Sequence, residues 1–238
     1  LPLTAMAQQS PLSVDVGAST EALNHGYAHW QSQFVRISQQ HPDFSGWFAG
    51  ARQTRRFNLE DQEGQFGKSW QVFPGTHLNA EVGGSSTHRV LPRHYVDLSV
   101  HQALPAGWGV EVGGRRSQYD TTSTQVWRGM VERYLGAERL SYQVFVGRPE
   151  GSGNSSSHRV QWAHFYADQH FWALSWVKGR ETESLGNHTF LTSDVQGLTL
   201  NGRHGLMPQL DLLWEAGTLK QGELYSRHGV SLALRYTF

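Results

Sequence analysis

The sequence predicts an all-β chain, an up-and-down antiparallel transmembrane β-barrel of about 14 strands, and three observations support this prediction. Apolar and polar residues alternate with a period of two along nearly the whole chain. Helical periodicity is almost absent. Short turns alternate with longer polar connections, as in a barrel whose strands run up and down in chain order. Barrels of 12 or 16 strands are the alternatives.

Composition narrows the class of protein. The chain has 238 residues, of which 38% are hydrophobic, and its 20 basic and 20 acidic residues balance. A balanced charge gives no reason to expect a nucleic-acid partner. The absence of cysteine excludes a disulfide scaffold and a Cys-ligated zinc site. The 13 histidines are scattered without ligand spacing, so no metal and no other cofactor is expected.

The N-terminus resembles the end of a secretory signal peptide. Leu1–Ala7 is apolar and closes with the small-residue pattern Ala5-Met6-Ala7, after which cleavage would fall before Gln8. We therefore expect residues 1–7 to be a signal-peptide remnant and residues 8–238 to form a single barrel domain.

Fourteen segments alternate strongly enough to be predicted strands. Their limits are 11–22, 28–38, 45–56, 64–73, 76–86, 92–103, 108–118, 124–134, 137–148, 157–168, 170–181, 192–203, 208–219 and 226–238. Short turns are predicted at Pro74-Gly75 and near Gly136, among others. The longer polar connections are predicted at 58–64, 84–93, 118–122, 150–157, 181–189 and 220–225.

Each predicted strand has one apolar and one charged face. In the segment 92–103, for example, Val96, Leu98 and Val100 oppose Asp97 and Ser99. A soluble barrel would turn the apolar face inward, and a membrane barrel would turn it outward. Strands of about 10 residues suit a tilted membrane crossing. Fourteen strands also enclose a lumen that side chains cannot fill, since about eight already give a filled interior. Both points favour the membrane barrel.

Aromatic residues near strand ends are typical of the two interfacial girdles of a membrane barrel, although they could also be the core of a soluble barrel. The predicted membrane-facing belt is Trp47, Trp70, Trp108, Trp127, Tyr142, Trp162, Trp172 and Trp214. The predicted pore-lining residues, besides Asp15, are Arg52, Glu81, Asp97, Glu111, Arg115, Arg128, Glu132, Arg139, Arg159, Asp211, Glu215 and Arg235. Because both signs are mixed, they could line a water-filled path or pair with one another and close it.

The last strand resembles the C-terminal signal of bacterial outer-membrane proteins, because its alternating apolar residues end in Tyr236 and Phe238. Two stretches, Arg139–Trp176 and Leu198–Phe238, are similar to the YaiO family of outer-membrane barrels, while the first half matches only in its barrel pattern. The resemblance implies location in the bacterial outer membrane, among outer-membrane lipids and lipopolysaccharide. It also implies the barrel-assembly machinery as a partner, and exopolysaccharide as a candidate, since some related systems export it.

Two similar segments contain Ser, His and Arg in the same order: GSSTHRV at Gly84–Val90 and NSSSHRV at Asn154–Val160. Both are expected to end a long loop and to begin a strand, which makes them a feature of the polar rim. A catalytic alternative pairs Ser156 or Ser157 with His158, because an imidazole can take a proton from a serine hydroxyl. Ser156 and His158 are two apart on a strand and so share a face.

Three functions follow from this sequence. The favoured one is a porin-like barrel that passes small solutes or supports the export of polysaccharide, and that is not an enzyme. The second is a non-conducting barrel with a structural or docking role. The third is an outer-membrane lipid acyl hydrolase that uses Ser156 and His158.

Overall fold

A computed structural model of the chain describes residues 11–149, 153–167, 169–186 and 189–238. The expected signal-peptide remnant lies outside the described residues. Fourteen strands form one closed antiparallel barrel in which each strand pairs with its neighbours in sequence, and β1 pairs with β14. The strands are β1 (Leu12–Leu23), β2 (Trp30–Gln40), β3 (Gly46–Arg56), β4 (Leu59–Phe73), β5 (Thr76–Ser85), β6 (His94–Ala103), β7 (Trp108–Gln118), β8 (Ser123–Leu135), β9 (Glu138–Pro149), β10 (Ser155–Ala167), β11 (His170–Gly186), β12 (Thr189–Met207), β13 (Leu210–Gln221) and β14 (Tyr225–Thr237). The predicted fold class and strand number are confirmed.

The first and last strands close the barrel along their whole length. Their register runs from Ser13 opposite Thr237 to Leu23 opposite Arg227. The backbone N–H of Phe238 also donates to the carbonyl of Leu12 at 2.9 Å. Closure leaves no unpaired sheet edge, which a hydrocarbon environment would not tolerate. Within the described residues, no helix is long and apolar enough to cross a membrane.

The apolar faces of the strands form the outer wall. Val112 is 65% exposed, and Leu232 is 56% exposed. By contrast, Asp15 and Glu132, on the other face of the sheet, are only 4% and 5% exposed. Exposed apolar residues all round a closed sheet, with buried carboxylates inside it, are the arrangement of a barrel immersed in lipid.

The two ends of the barrel differ. Because the strand number is even, both termini lie at one end, here named the turn end; the opposite end is named the loop end. Connections at the turn end include the two-residue turns Pro74-Gly75 and Gly136-Ala137, where Gly75 and Gly136 adopt positive φ angles of 76° and 63°. The longest connection between described strands is Ser86–Arg93, at the loop end.

Two of the predicted long loops are wrong. In place of a loop at 58–64, Phe57 and Asn58 form a tight turn with φ angles of 53° and 62°, and β4 begins at Leu59. Both central residues of a type I′ hairpin turn have positive φ. In place of a loop at 181–189, β11 and β12 continue to Gly186 and from Thr189. Polar residues above the membrane can extend a ladder, because backbone pairing does not require apolar side chains.

Candidate functional site: the lumen and its mouth

All twelve predicted pore-lining residues occupy inward positions of their strands. The register makes this clear across neighbouring strands. Asp15 lies opposite Arg235, Glu81 opposite Asp97, and Asp97 opposite Arg115. The same alternation places the remaining residues on the inner wall, namely Arg52, Glu111, Arg128, Glu132, Arg139, Arg159, Asp211 and Glu215. Sequence alternation therefore located the inner face residue by residue.

Several of these charges are ion-paired along the wall. The guanidinium of Arg128 donates to Asp97 at 2.7 Å and to Glu111 at 3.0 Å, across three adjacent strands. Arg235 donates to both oxygens of Asp15, at 2.6 and 2.7 Å. Such bidentate pairs satisfy charges that are partly withdrawn from water. They make part of the inner wall a fixed, electrically balanced surface.

Further pairs complete this network. Arg203 donates to Asp211 at 2.5 Å, and Arg139 lies 3.6 Å from Glu132. His101 contacts the same Glu132 at 2.9 Å. Arg203 and His101 were not among the predicted pore-lining residues, although both follow the same alternation.

Other inward charges make no ion pair with a described residue. Arg52, Arg159 and Glu215 belong to this group, and all three are exposed. Arg159 lies 5.3 Å from the ring centre of Phe145, and Arg115 lies 3.6 Å from that of Tyr95. Exposed side chains on the inner face of a closed barrel can only be exposed to the lumen. The lumen therefore offers both fixed pairs and accessible charges.

At the loop end, the connection Ser86–Arg93 folds into the mouth of the barrel. Asp61 on β4 is fully buried and holds this loop. Its Oδ2 accepts the backbone N–H groups of Val90 and Leu91 at 2.7 and 2.8 Å. Its Oδ1 accepts the N–H of Arg89 at 2.9 Å and the Thr87 hydroxyl at 2.6 Å. A single carboxylate thus satisfies four donors, which fixes the loop in place.

The long strands β11 and β12 extend beyond their neighbours at the loop end. β10 pairs with β11 as far as Gly179, and β13 pairs with β12 as far as Val195. The residues beyond, 180–186 and 189–194, form a two-stranded extension, here named the mouth hairpin. It leans over the lumen, where Phe190 packs edge-on against Tyr119 with ring centres 4.9 Å apart. Tyr119 lies outside the strands, between β7 and β8, and burial raises the pKa of its hydroxyl.

Two inward contacts fix the base and side of the mouth hairpin. The hydroxyl of Ser157 donates to Glu181 at 2.6 Å, and the hydroxyl of Tyr225 donates to Glu183. Tyr225 belongs to β14 and Ser157 to β10, so contacts reach the hairpin from both sides.

The mouth hairpin lies between two cavities. One has a volume of about 500 Å³ and also touches the Ser86–Arg93 loop at Val90, Leu91 and Pro92. The other has a volume of about 260 Å³ and lies on the β8–β10 side. Tyr119, Glu181, Thr182 and Ser184 line both. The charged residues of the larger cavity are Arg52, Arg56, Arg115, Arg227, Glu63, Glu81, Glu181 and Glu183.

The two Ser-His-Arg segments do not occupy equivalent positions, contrary to expectation. GSSTHRV ends β5 and forms most of the loop that folds into the mouth, and its His88 contacts Asp120 at 2.6 Å. NSSSHRV is the start of β10, in the wall. Its Ser157 and Arg159 face the lumen, whereas Ser156 and His158 face outward.

The candidate dyad has a different partner in the structure. A hydrogen bond of 2.7 Å joins His158 Nδ1 to the hydroxyl of Tyr142, and the two rings stack with centres 5.9 Å apart. No described contact joins His158 to Ser156 or to a carboxylate. The other candidate, Ser157, lies on the opposite face of the strand and contacts Glu181. A nucleophile needs a base within hydrogen-bond reach and a third group that orients the base.

All eight predicted belt residues lie on outward positions. Trp47, Trp70, Trp108 and Trp172 are close to the turn end, and Trp127 is close to the loop end. Tyr142, Trp162 and Trp214 lie further along their strands. The outward Trp176 was missed, although it follows the same alternation.

Architecture and lumen together define an outer-membrane β-barrel of the porin-like type. The sequence profile of the YaiO membrane beta barrel domain matches residues 12–184, and the chain therefore belongs to the YaiO family of the bacterial outer membrane. The match includes the first half of the chain, where the sequence by itself resembles the family only in its barrel pattern, and it ends within β11. No curated protein sequence matches the chain significantly.

Solved structures with the same fold include outer-membrane proteins of three bacteria. OpdQ of Pseudomonas aeruginosa superimposes with a TM-score of 0.54 at 9% identity, covering 97% of this chain and 99% of that one. OmpF of Salmonella typhi, in complex with daunomycin, gives 0.54 at 8% identity over 95% and 97%. A loop-deletion mutant of OmpT from Vibrio cholerae gives 0.52 at 8% identity over 97% and 99%. At these identities the likeness concerns the fold.

Proposed function

We propose that the barrel conducts small polar solutes, saccharides among them, across the outer membrane. The observation that carries this proposal is the exposure of inward charges. Arg52, Arg159 and Glu215 point into the lumen without an ion pair to any described residue, yet they are exposed. Charged groups without a partner remain in contact with water, because burying them would cost several kcal/mol each. The exposure of these three charges therefore supports a lumen that holds water.

The chemistry of the mouth suits neutral polar solutes better than ions of one sign. The larger cavity brings four arginines and four glutamates together, so its net charge is close to balanced. Rings of a single sign are what make a pore strongly anion- or cation-selective. The smaller cavity adds the hydroxyl groups of Thr124, Ser155, Ser157, Thr182 and Ser184, which can donate to and accept from sugar hydroxyls.

Single-channel conductance of the refolded barrel in a planar bilayer tests the proposal. We expect stable open steps, weak ion selectivity, and a reduction of the current when oligosaccharide is added. Arg52→Gln should change the ion selectivity, because Arg52 lines the lumen. Arg55→Gln is the matched control, since Arg55 lies three residues further along β3 and faces outward. A correctly folded barrel that shows no open steps, either as the wild type or after the contacts that hold the mouth are removed, would refute conduction.

A second candidate, the non-conducting barrel, is favoured by the mouth itself. The mouth hairpin and the Ser86–Arg93 loop both fold over the lumen and are fixed there by hydrogen bonds. If the wild type is silent and stays silent when these contacts are removed, the barrel has a structural or docking role. Export of exopolysaccharide, which family resemblance suggests, would require the hairpin to move aside, because a polymer chain needs a continuous opening between the two cavities.

A further inference from the structure

The outer wall carries a row of basic residues on one side only. Strands β7, β9, β11 and β13 each have a basic side chain on an outward position close to the loop end: Arg116, Arg148, Lys178 and Lys220. All four are exposed. We name this row the basic arc. His158, on β10, lies directly opposite Lys178 in the register and belongs to the same surface.

Apolar outer-wall residues lie immediately below the basic arc. Val112 and Gly114 precede Arg116, and Trp176 precedes Lys178 at the outward positions of their strands. The arc therefore begins where the apolar band ends, which is the height of the lipid headgroups in the leaflet at the loop end. Charges at that height face headgroups rather than a protein interior.

The opposite side of the barrel lacks this feature. At the loop end of β2, β3 and β4, the outward positions hold Gln31, Gln53 and Gln62. The single arginine there, Arg55, lies opposite Glu60 in the register, so its charge has a neighbour of opposite sign. A basic rim on one arc and an amide rim on the other cannot be explained by a general need for solubility.

One acid partly compensates the charge of the basic arc. Glu223 is 3.8 Å from Lys220, and both side chains are highly exposed. Arg116, Arg148 and Lys178 have no ion pair with a described residue. These three charges and His158 are therefore the part of the arc that is available to an anion.

We propose that the basic arc binds the phosphate groups of a lipid in the outer leaflet, which the loop end faces because the longer loops of such barrels are extracellular, with Arg148, His158 and Lys178 at its centre. Basic residues next to a membrane attract anionic headgroups, each contributing roughly a fivefold gain in association. Arg116 and Arg148 both lie opposite Gln125 in the register, so the two residues are two strands and about 10 Å apart, a spacing that suits a headgroup carrying more than one phosphate, such as that of lipopolysaccharide. When Tyr142 donates to His158 Nδ1, the Nε2 atom carries a proton and can donate to a phosphate oxygen.

This assignment gives a role to the second Ser-His-Arg segment that conduction does not. Its His158 and Ser156 face the lipid beside the arc, while Arg159 of the same segment faces the lumen. The alternation of one strand thus places one basic group in each of two separate sites.

The test uses the refolded full-length barrel in detergent micelles, with diphosphorylated lipid A as the probe. The unfolding temperature should rise with probe concentration, and that dependence yields an apparent affinity. High salt should weaken it, since the contacts are ionic. Replacing Arg116, Arg148 and Lys178 together by Gln should lower the affinity on the order of 100-fold. The control, Arg55→Gln with Lys68→Gln, removes two outward charges elsewhere on the wall and should leave the affinity unchanged.

Three outcomes would overturn the proposal. One is an equal rise with lipid A stripped of its phosphates, which would mean acyl-chain contact alone. Another is an affinity in the triple variant equal to that of the wild type. A third is an equal rise in the unfolding temperature of the wild type with inorganic phosphate alone, which would mean that the arc binds any phosphate rather than a lipid. If the triple variant does not fold, the affinity of the single variant Lys178→Gln and the salt dependence of the wild-type affinity take its place. A wild-type affinity for the probe that high salt does not weaken would refute an ionic site.

Discussion

The segments Gly84–Val90 and Asn154–Val160 have nearly the same sequence but fold into different structures. The first leaves the wall and folds into the mouth, and the second is a wall strand with one face in lipid and the other in the lumen. The residues that follow explain the difference. Pro92 comes two residues after the first segment, whereas Trp162 occupies the matching place after the second. Proline lacks the N–H that a central strand needs, so the first segment cannot continue into a ladder there.

A second cause lies on a neighbouring strand. Asp61 offers the first segment an alternative to strand pairing, because its carboxylate accepts three successive backbone N–H groups. The second segment meets no such group, and its backbone pairs with β9 and β11 instead. Local sequence therefore permits either structure, and the partner available to the backbone decides between them.

The largest effect is expected from giving the second segment the proline of the first. Trp162→Pro should prevent the barrel from folding, because an unsatisfied backbone group in hydrocarbon costs several kcal/mol. The folded fraction after refolding into lipid vesicles, measured by heat-modifiable electrophoretic mobility, reports this. Trp162→Phe keeps the backbone N–H and an outward aromatic ring, and should fold as the wild type does. Equal folding of the two variants would show that ladder pairing does not fix this segment.

The next effect concerns the carboxylate that holds the first segment. Asp61→Ala should free the Ser86–Arg93 loop from the mouth, since hydrogen bonds to a charged group contribute about 1.5–3 kcal/mol each. The barrel should remain folded, its conductance should increase, and trypsin should cleave after Arg89 in proteoliposomes. Glu60→Gln alters the neighbouring, outward-facing residue and should change neither measurement. A loop that stays protected in Asp61→Ala would mean that Asp61 does not hold it.

The sequence predicted the wall far better than the mouth. At the turn end, thirteen of the fourteen strand limits were predicted to within two residues, because lipid imposes apolar alternation on every outward position. At the loop end, β4 begins at Leu59 and β11 ends at Gly186, beyond the apolar pattern. The inward charges were found for the same reason. The ion pairs between these charges could not be predicted. Whether Arg128 contacts Asp97 depends on the register between strands, which the composition does not encode.

The role of Asp61 in holding the loop could not be predicted from the sequence, for a different reason. Asp61 binds backbone N–H groups 28 to 30 residues away in sequence, and backbone groups look alike in every sequence. The available signal was Pro92, which excludes a central strand at that position. The mouth hairpin was likewise hidden, because its polar residues satisfy a loop and a two-stranded ladder equally well.

A smaller and more specific effect should separate the two segments at matching hydroxyls. Thr87 and Ser157 occupy the same place in the aligned segments, and each donates to a carboxylate at 2.6 Å, Thr87 to Asp61 and Ser157 to Glu181. Thr87→Ala should loosen only the loop, and Ser157→Ala only the mouth hairpin, each by about 1 kcal/mol. Limited trypsin digestion distinguishes them, since cleavage after Arg89 reports the loop and cleavage after Arg180 reports the hairpin. Identical patterns from both variants would show that the mouth moves as one unit.

The smallest effect is expected where the catalytic hypothesis predicted the largest. Ser156→Ala and His158→Ala should leave release of acyl chains from phospholipid vesicles at the level of the wild type, which itself should not exceed that of protein-free vesicles. His158 shares its hydrogen bond with Tyr142 rather than with Ser156, so no base is positioned to take the serine proton. Tyr142→Phe tests the geometry further, because it frees the imidazole without moving the strand. Acyl release that depends on Ser156, in the wild type or in Tyr142→Phe, would restore the hydrolase hypothesis for the outer face of this wall.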